Sequence, residues 1–214
     1  GSYDIFILKF SNAGTRLWAT HYGGTGQESG YFICTDAADN IFVTGYTSSL
    51  NFPTLNLAGA YNQATLGGGV FGVNDAIILK FNPTGTLLWS TYYGGSLPDI
   101  GRSIFADQTG NVFLTGSAES TNFPITNWAG AYNQAAAGGG VDNAFIIKIN
   151  NNGVVLWSTY FSGSMREMGA ALSVDNVGNL FVVGFAMSPN FPLVNPSGGA
   201  YYQATPGGTR GAFI

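Results

Sequence analysis

Two sets of carboxylates keep one spacing. Glu28, Asp99 and Glu167 are separated by 71 and then 68 residues, and so are Asp36, Asp107 and Asp175. Acids brought together by a repeated fold could bind a cation or a sugar at a channel or rim. Two of them in unlike surroundings could act as general acid and general base. Equal repeat positions imply equal surroundings, which argues against singling out one acid and one base. The simpler role for Glu28, Asp99 and Glu167, each two residues ahead of a glycine, is to accept hydrogen bonds from turn amides at a sheet edge. The second set reads Asp-x-x-Gly-Asn at Asp107 and Asp175, where the acid caps a hairpin and the glycine supplies a positive φ. At Asp36 that glycine is replaced by Asp39, followed by Asn40. Calcium is therefore weighed at Asp36, Asp39, Asp107 and Asp175, although the ligand spacing of an EF-hand loop is absent.

The remaining reactive side chains offer little chemistry. His21 is the only histidine and fills the slot of Tyr92 and Tyr160, so a packed residue is expected there. One histidine cannot build a zinc cluster, and no His-containing triad can be assembled. Cys34 reads as a small buried hydrophobe. Lys9, Lys80 and Lys148 end apolar strands and are expected to snorkel at a rim or guard an edge, an anion-binding ring being the alternative. The tracts Gly67-Gly68-Gly69 and Gly138-Gly139-Gly140 lack the Lys-Ser/Thr ending of a phosphate loop. No catalytic residue is expected, and no cofactor apart from the calcium reading.

The elements that must hold these residues follow from composition and repetition. Of 214 residues, 45% are apolar, 14% aromatic and only 8% charged, with 32 glycines and a net charge of −4. Charge-driven disorder and collagen are excluded, no apolar run is long enough for a membrane helix, and the scattered cations exclude a nucleic-acid footprint. Trp18, Trp89 and Trp157 repeat with the same spacing as the carboxylates, and so does Asn-Phe-Pro at Asn51, Asn122 and Asn190. Three repeats result, residues 4–74, 75–142 and 143–210, with a fourth opening at 211–214. Each contains four strand candidates bounded by Gly and Asn turns, such as Asn82-Pro83-Thr84-Gly85, and no helical periodicity persists. A connection of about two dozen residues closes each repeat. Its Phe123, Trp128 and Tyr132 are expected to fold it back on its own unit, with a single helical turn. The first copy's connection is longer by three residues, Val70-Phe71-Gly72, the mark of a tolerant surface loop.

The expected fold is all-β: propeller blades of four antiparallel strands, three full repeats plus the first strand of a fourth. Tandem sandwiches and a β-solenoid are the lesser alternatives. Trp18, Trp89 and Trp157, with Phe52, Phe123 and Phe191, are the expected anchors of the core. Three units are fewer than a propeller ring needs, so the chain is expected to be an excerpt whose partners are the remaining blades of a longer polypeptide, a ring completed by identical chains being the alternative.

Ser90-Thr91-Tyr92-Tyr93-Gly94-Gly95, Asp99 with Gly101, Asp107 to Gly116 and Asn122-Phe123-Pro124 together resemble the SBBP-type bacterial β-propeller repeat family. The first copy matches through His21-Tyr22-Gly23-Gly24, and the third more loosely, with Ser162 for a glycine and Val183 for the threonine of the other copies. The resemblance implies a structural or binding scaffold of a secreted or cell-surface bacterial protein, not an enzyme, presenting rim loops to a protein or carbohydrate partner. A weaker likeness, Gly85-Thr86-Leu87-Leu88-Trp89 and Gly153-Val154-Val155-Leu156-Trp157, resembles the tryptophan-docking pattern of quinoprotein propellers. It keeps open a propeller enzyme or cation-binding domain with some key residues outside this chain.

Overall fold

A computed structural model describes residues 1–69, 72–205, 208 and 211–214. Their regular structure is entirely β: β1 (Ile5–Phe10), β2 (Arg16–Tyr22), β3 (Glu28–Thr35), β4 (Ile41–Thr47), β5 (Asp75–Phe81), β6 (Leu87–Tyr93), β7 (Asp99–Ala106), β8 (Val112–Ala118), β9 (Asn143–Ile149), β10 (Val155–Phe161), β11 (Glu167–Val174), β12 (Leu180–Ala186) and β13 (Gly211–Phe213). All pairings between these strands are antiparallel. The sheets are β1-β2, β3-β4-β5-β6, β7-β8-β9-β10 and β11-β12-β13, here the first to fourth.

The sheets do not coincide with the sequence repeats. A repeat was expected to supply one blade, yet β5-β6 and β7-β8 of the repeat at 75–142 lie in different sheets. The reason lies at the edge of β6. The connection at 48–74 leaves β4, bridges β6 through Leu55 to Ser90 and Gln63 to Tyr92, and returns the chain to pair β5 with β4. With that edge occupied, β7 has nothing to pair with on β6 and opens the next sheet. The described residues thus hold two complete four-stranded sheets between a two-stranded and a three-stranded one, instead of three complete blades. In the third sheet the connection at 119–142 meets β10 in the same way, Thr126 bridging Ser158. The expected helical turn is absent among the described residues, and Val70 and Phe71 of the longer loop lie outside them.

Sheet packs on sheet in chain order. Strand β7 lies against β3 and β4, and β11 against β7 and β8, so the leading strands β3, β7 and β11 stand beside one another. This is the arrangement of propeller blades, and the described residues form no closed ring. Strand β5 shows why its middle, Ala76 to Leu79, is an unbroken apolar run: Ile77, Leu79 and Phe81 pack with Ile5 and Ile7 of β1, and Ile78 on the opposite face packs with Leu114, Phe145 and Ile147. A strand buried on both faces cannot show polar alternation. Gly101 on β7 permits the close approach, since a Cβ there would stand 2.1 Å from Thr44 Oγ1. That hydroxyl donates to Ile77 O at 2.8 Å.

Candidate functional site

Glu28, Asp99 and Glu167 open the leading strands β3, β7 and β11, and all three are buried. Each accepts a hydrogen bond from the glycine amide four residues earlier: Gly24 to Glu28 at 3.1 Å, Gly95 to Asp99 at 2.7 Å and Gly163 to Glu167 at 2.8 Å. Each also binds the end of the second strand of its sheet or the first residues of the connection that follows. Glu28 accepts from the Thr47 and Ser49 hydroxyls, Asp99 from the Ser120 hydroxyl at 2.7 Å, and Glu167 from the Ser188 amide at 3.0 Å. The carboxylates therefore organise the five-residue links between sheets, such as 94–98. Burial pushes Asp99 up to about 7, opposed by hydrogen bonds from Gly95 and Ser120 and reinforced by the charge of Asp75.

Asp75 was not singled out as a site residue, yet it is buried at the start of β5. Its Oδ2 accepts from Gln63 Nε2 and the Gly67 amide, both at 2.7 Å, and its Oδ1 has no partner among the described residues. Burial pushes this carboxyl up to about 6 against those two hydrogen bonds. The available signal was its place on the ruler, because Asp4, Asp75 and Asn143 keep the 71 and 68 spacing.

Asp36, Asp107 and Asp175 occupy the turns between the first two strands of the second, third and fourth sheets. Asp36 Oδ1 accepts from the Ala38 and Asn40 amides at 2.9 Å, and Oδ2 from Asn40 Nδ2 at 2.8 Å. Asp107 and Asp175 repeat the pattern with Asn111 and Asn179. Burial raises the Asp107 carboxyl, but donors on Asn111 and Thr109 outweigh it and hold the group below its ordinary value. Hydrogen bonds from Asn179 do the same for Asp175. Asp39 takes φ 59° in the place of the turn glycine, a conformation aspartate tolerates better than most residues. Among the described residues, no three His, Cys, Asp or Glu side chains are grouped to hold a metal.

Lys9, Lys80, Trp18 and Trp89 fasten the first sheet to the second and the second to the third. Lys9 Nζ donates to Pro83 O at 2.9 Å, and Lys80 Nζ to Asn151 O at 2.8 Å. Lys80 is buried over the Phe42 ring instead of snorkelling at a rim, because the turn of the following sheet supplies its acceptors. Trp18 packs on Gly85 and Trp89 on Gly153. Of the six expected anchors, Trp89, Phe52 and Phe123 are buried, while Trp18, Trp157 and Phe191 are half-buried. His21 departs from the packed position expected of it. Tyr92 and Tyr160 are buried because their hydroxyls accept the Phe52 and Phe123 amides, at 2.9 and 3.1 Å, whereas His21 meets no such connection and is exposed.

Two apolar faces remain open. On β1, Phe6, Leu8 and Phe10 are exposed, Phe6 by 68%, although Phe145, Ile147 and Ile149 at the same repeat positions are buried. At the other end a cleft of about 1310 Å³ is lined by Trp157, Phe161, Val182, Phe191 and Phe213. The connection at 119–142 also exposes Trp128 and Tyr132 beside Asn127, Asn133 and Gln134, so its large side chains cover the sheet only in part.

Residues 88–124 match a family described as beta-propeller repeat, SBBP. The matched stretch contains Asp99, Asp107, the Gly94-Gly95 link and Asn122-Phe123-Pro124. The chain is also 26% identical, over 199 residues, to an uncharacterized WD repeat-containing protein of Acanthamoeba polyphaga mimivirus; the alignment covers 85% of this chain and 14% of the relative. Part of the chain is thus a propeller-type repeat region, and the chain, distantly similar to that WD repeat-containing protein, spans about a seventh of its length. Among the described residues no helix is long and apolar enough to cross a membrane.

Proposed function

We propose that this chain is a non-catalytic binding scaffold of a secreted or cell-surface protein, whose connections between sheets meet a carbohydrate or protein partner. The observation that carries the reading is Trp128, 54% exposed in the connection at 119–142 with Tyr132 and three amide side chains near it in sequence. An aromatic face bordered by amides suits a sugar ring, which offers C–H groups to the ring and hydroxyls to the amides. A catalytic use of Glu28, Asp99 and Glu167 finds less support, because each is engaged by link amides or hydroxyls in a like position. The two open apolar faces fit further sheets of the same kind, since the equivalent residues in the middle of the chain are buried against a neighbouring sheet.

A glycan array followed by a tryptophan-fluorescence titration tests the reading. A bound glycan is expected to lose at least about tenfold in affinity on Trp128→Ala, the loss of one aromatic anchor. Unchanged binding by that variant, or no ligand among glycans and surface proteins, sinks it.

A further inference from the structure

We propose that Asp75 and Asp99 form a pH-sensitive latch, each favoured in its protonated form by burial near the other acid, tying the connection at 48–74 to the link at 94–98. Both carboxylates close over the same backbone atom: a Cβ on Gly94 would stand 2.7 Å from Asp75 Oδ1 and 2.8 Å from Asp99 Oδ2. Asp75 is fully buried, and Oδ1 is the oxygen without a partner among the described residues. A buried, bare carboxylate oxygen beside a second carboxylate is costly in its charged form, and protonation removes one of two like charges. Asp75 binds Gln63 and Gly67, the Gln63 Oε1 accepts the Gly94 amide at 3.0 Å, and Asp99 binds Gly95 and Ser120. The two acids and Gln63 thereby join both connections to the link between the second and third sheets.

The chain carries an internal control. At the same repeat positions in the third copy, Asn143 replaces Asp75 and Ser162 replaces Gly94, while Glu167 keeps the acid of β11. Asn143 Oδ1 accepts the Gly138 amide at 2.9 Å, as Asp75 accepts that of Gly67, and its Nδ2 donates to Ala118 O at 3.3 Å. A neutral side chain bearing hydrogens thus serves where Asp75 stands, which suits a protonated acid better than a metal ligand. The Ser162 side chain fills the space over which the two acids of the second copy converge.

Among the described residues no basic group compensates the pair. The described ion pairs involve neither acid. The titratable groups facing them are the Tyr61 phenol of the connection and Tyr92 of β6 on Asp75, and Tyr160 of β10 on Asp99, each pushed up to about 12 by burial and neutral in the range concerned. The sign follows from raised carboxyl values: the contribution to stability is complete below about pH 4, where both acids are protonated folded or unfolded. It is lost as pH rises through about 6 for Asp75 and about 7 for Asp99.

The test is thermal unfolding of the whole 214-residue chain between about pH 5 and about pH 8, for wild type, Asp75→Asn and Asp99→Asn, with infrared spectra of the wild type over the same range. Wild-type melting is expected to fall by at least about 2–4 °C across the range, and each variant to lose at least half of that fall. The infrared band of a protonated carboxyl is expected at the acid end and to disappear toward the alkaline end. A fall as steep in both variants as in wild type overturns the proposal, and so does a wild-type spectrum without that band near pH 6, an outcome readable even if both variants fail to fold.

Discussion

Trp89 and Trp157 stand at the same repeat position and donate the same hydrogen bond, from Nε1 to the carbonyl of Tyr61 and of Tyr132. Trp89 is 1% exposed, and Trp157 is a half-buried wall of an open cleft. Trp18, at the opposite end, is half-buried with an indole N–H that finds no acceptor. Nearly identical local sequence thus gives a core residue only where both a preceding connection and the turn of a following complete sheet cover the indole, as at Trp89; Trp18 has the turn without the connection, and Trp157 the connection without the turn. The repeat specifies what each side chain offers, and the neighbouring sheet decides what it contributes.

Substitution at the three tryptophans sharpens that difference most. Trp89→Ala is expected to destabilise the chain by about 3–5 kcal/mol, Trp157→Ala and Trp18→Ala by well under half of that, read from urea midpoints at constant slope. Equal losses at all three positions would contradict the dependence on the neighbouring sheet. A smaller effect is expected from the glycines of the leading strands. Gly101→Ala forces a methyl onto Thr44 Oγ1 and should cost about 1–3 kcal/mol, partly recovered by adding Thr44→Ala. Gly30→Ala, at the junction with the first sheet, meets Ile5 Cγ2 at 3.2 Å, a methyl end that can shift, and should cost less than Gly101→Ala. The smallest effect belongs to the turn acids. Asp107→Ala removes the acceptor of several turn donors and should cost about 1 kcal/mol near neutral pH, with a lesser loss for the more exposed Asp175→Ala. Because the folded Asp107 value is depressed, its contribution is present above the unfolded value near 4 and disappears as pH falls through the folded one. An acid titration should bring the wild-type and Asp107→Ala unfolding curves together, and a gap that widens in acid would refute the assignment.

Much of this architecture is legible in the residues. Asn82-Pro83-Thr84-Gly85 and Asp107-Gln108-Thr109-Gly110-Asn111 mark hairpins where hairpins stand, and the apolar run Ala76-Ile77-Ile78-Leu79 marks a strand buried on both faces. The link glycines and carboxylates could also be aligned, and Glu28, Asp99 and Glu167 do accept turn amides. Asp75 was less visible because its significance comes from Asp99, 24 residues away and beyond a whole hairpin. His21 differs from its expected packed state for a related reason: its slot is filled in the other copies by a tyrosine whose burial depends on a connection from the preceding repeat.

The sequence by itself determined the period, the strands within it and the turn chemistry at each boundary, since these rest on contacts between residues close along the chain. Only the tertiary structure decided the phase. Four strands repeated in order can be cut into sheets at any of four places without changing the period, and the bridges from Leu55 and Gln63 to β6 select the cut by occupying the edge that β7 would otherwise use. The same long-range closure brings Asp75 and Asp99 together over Gly94 and leaves Phe6 and Trp157 on open faces, because burial depends on which sheet lies opposite and not on the residue's own neighbours in sequence.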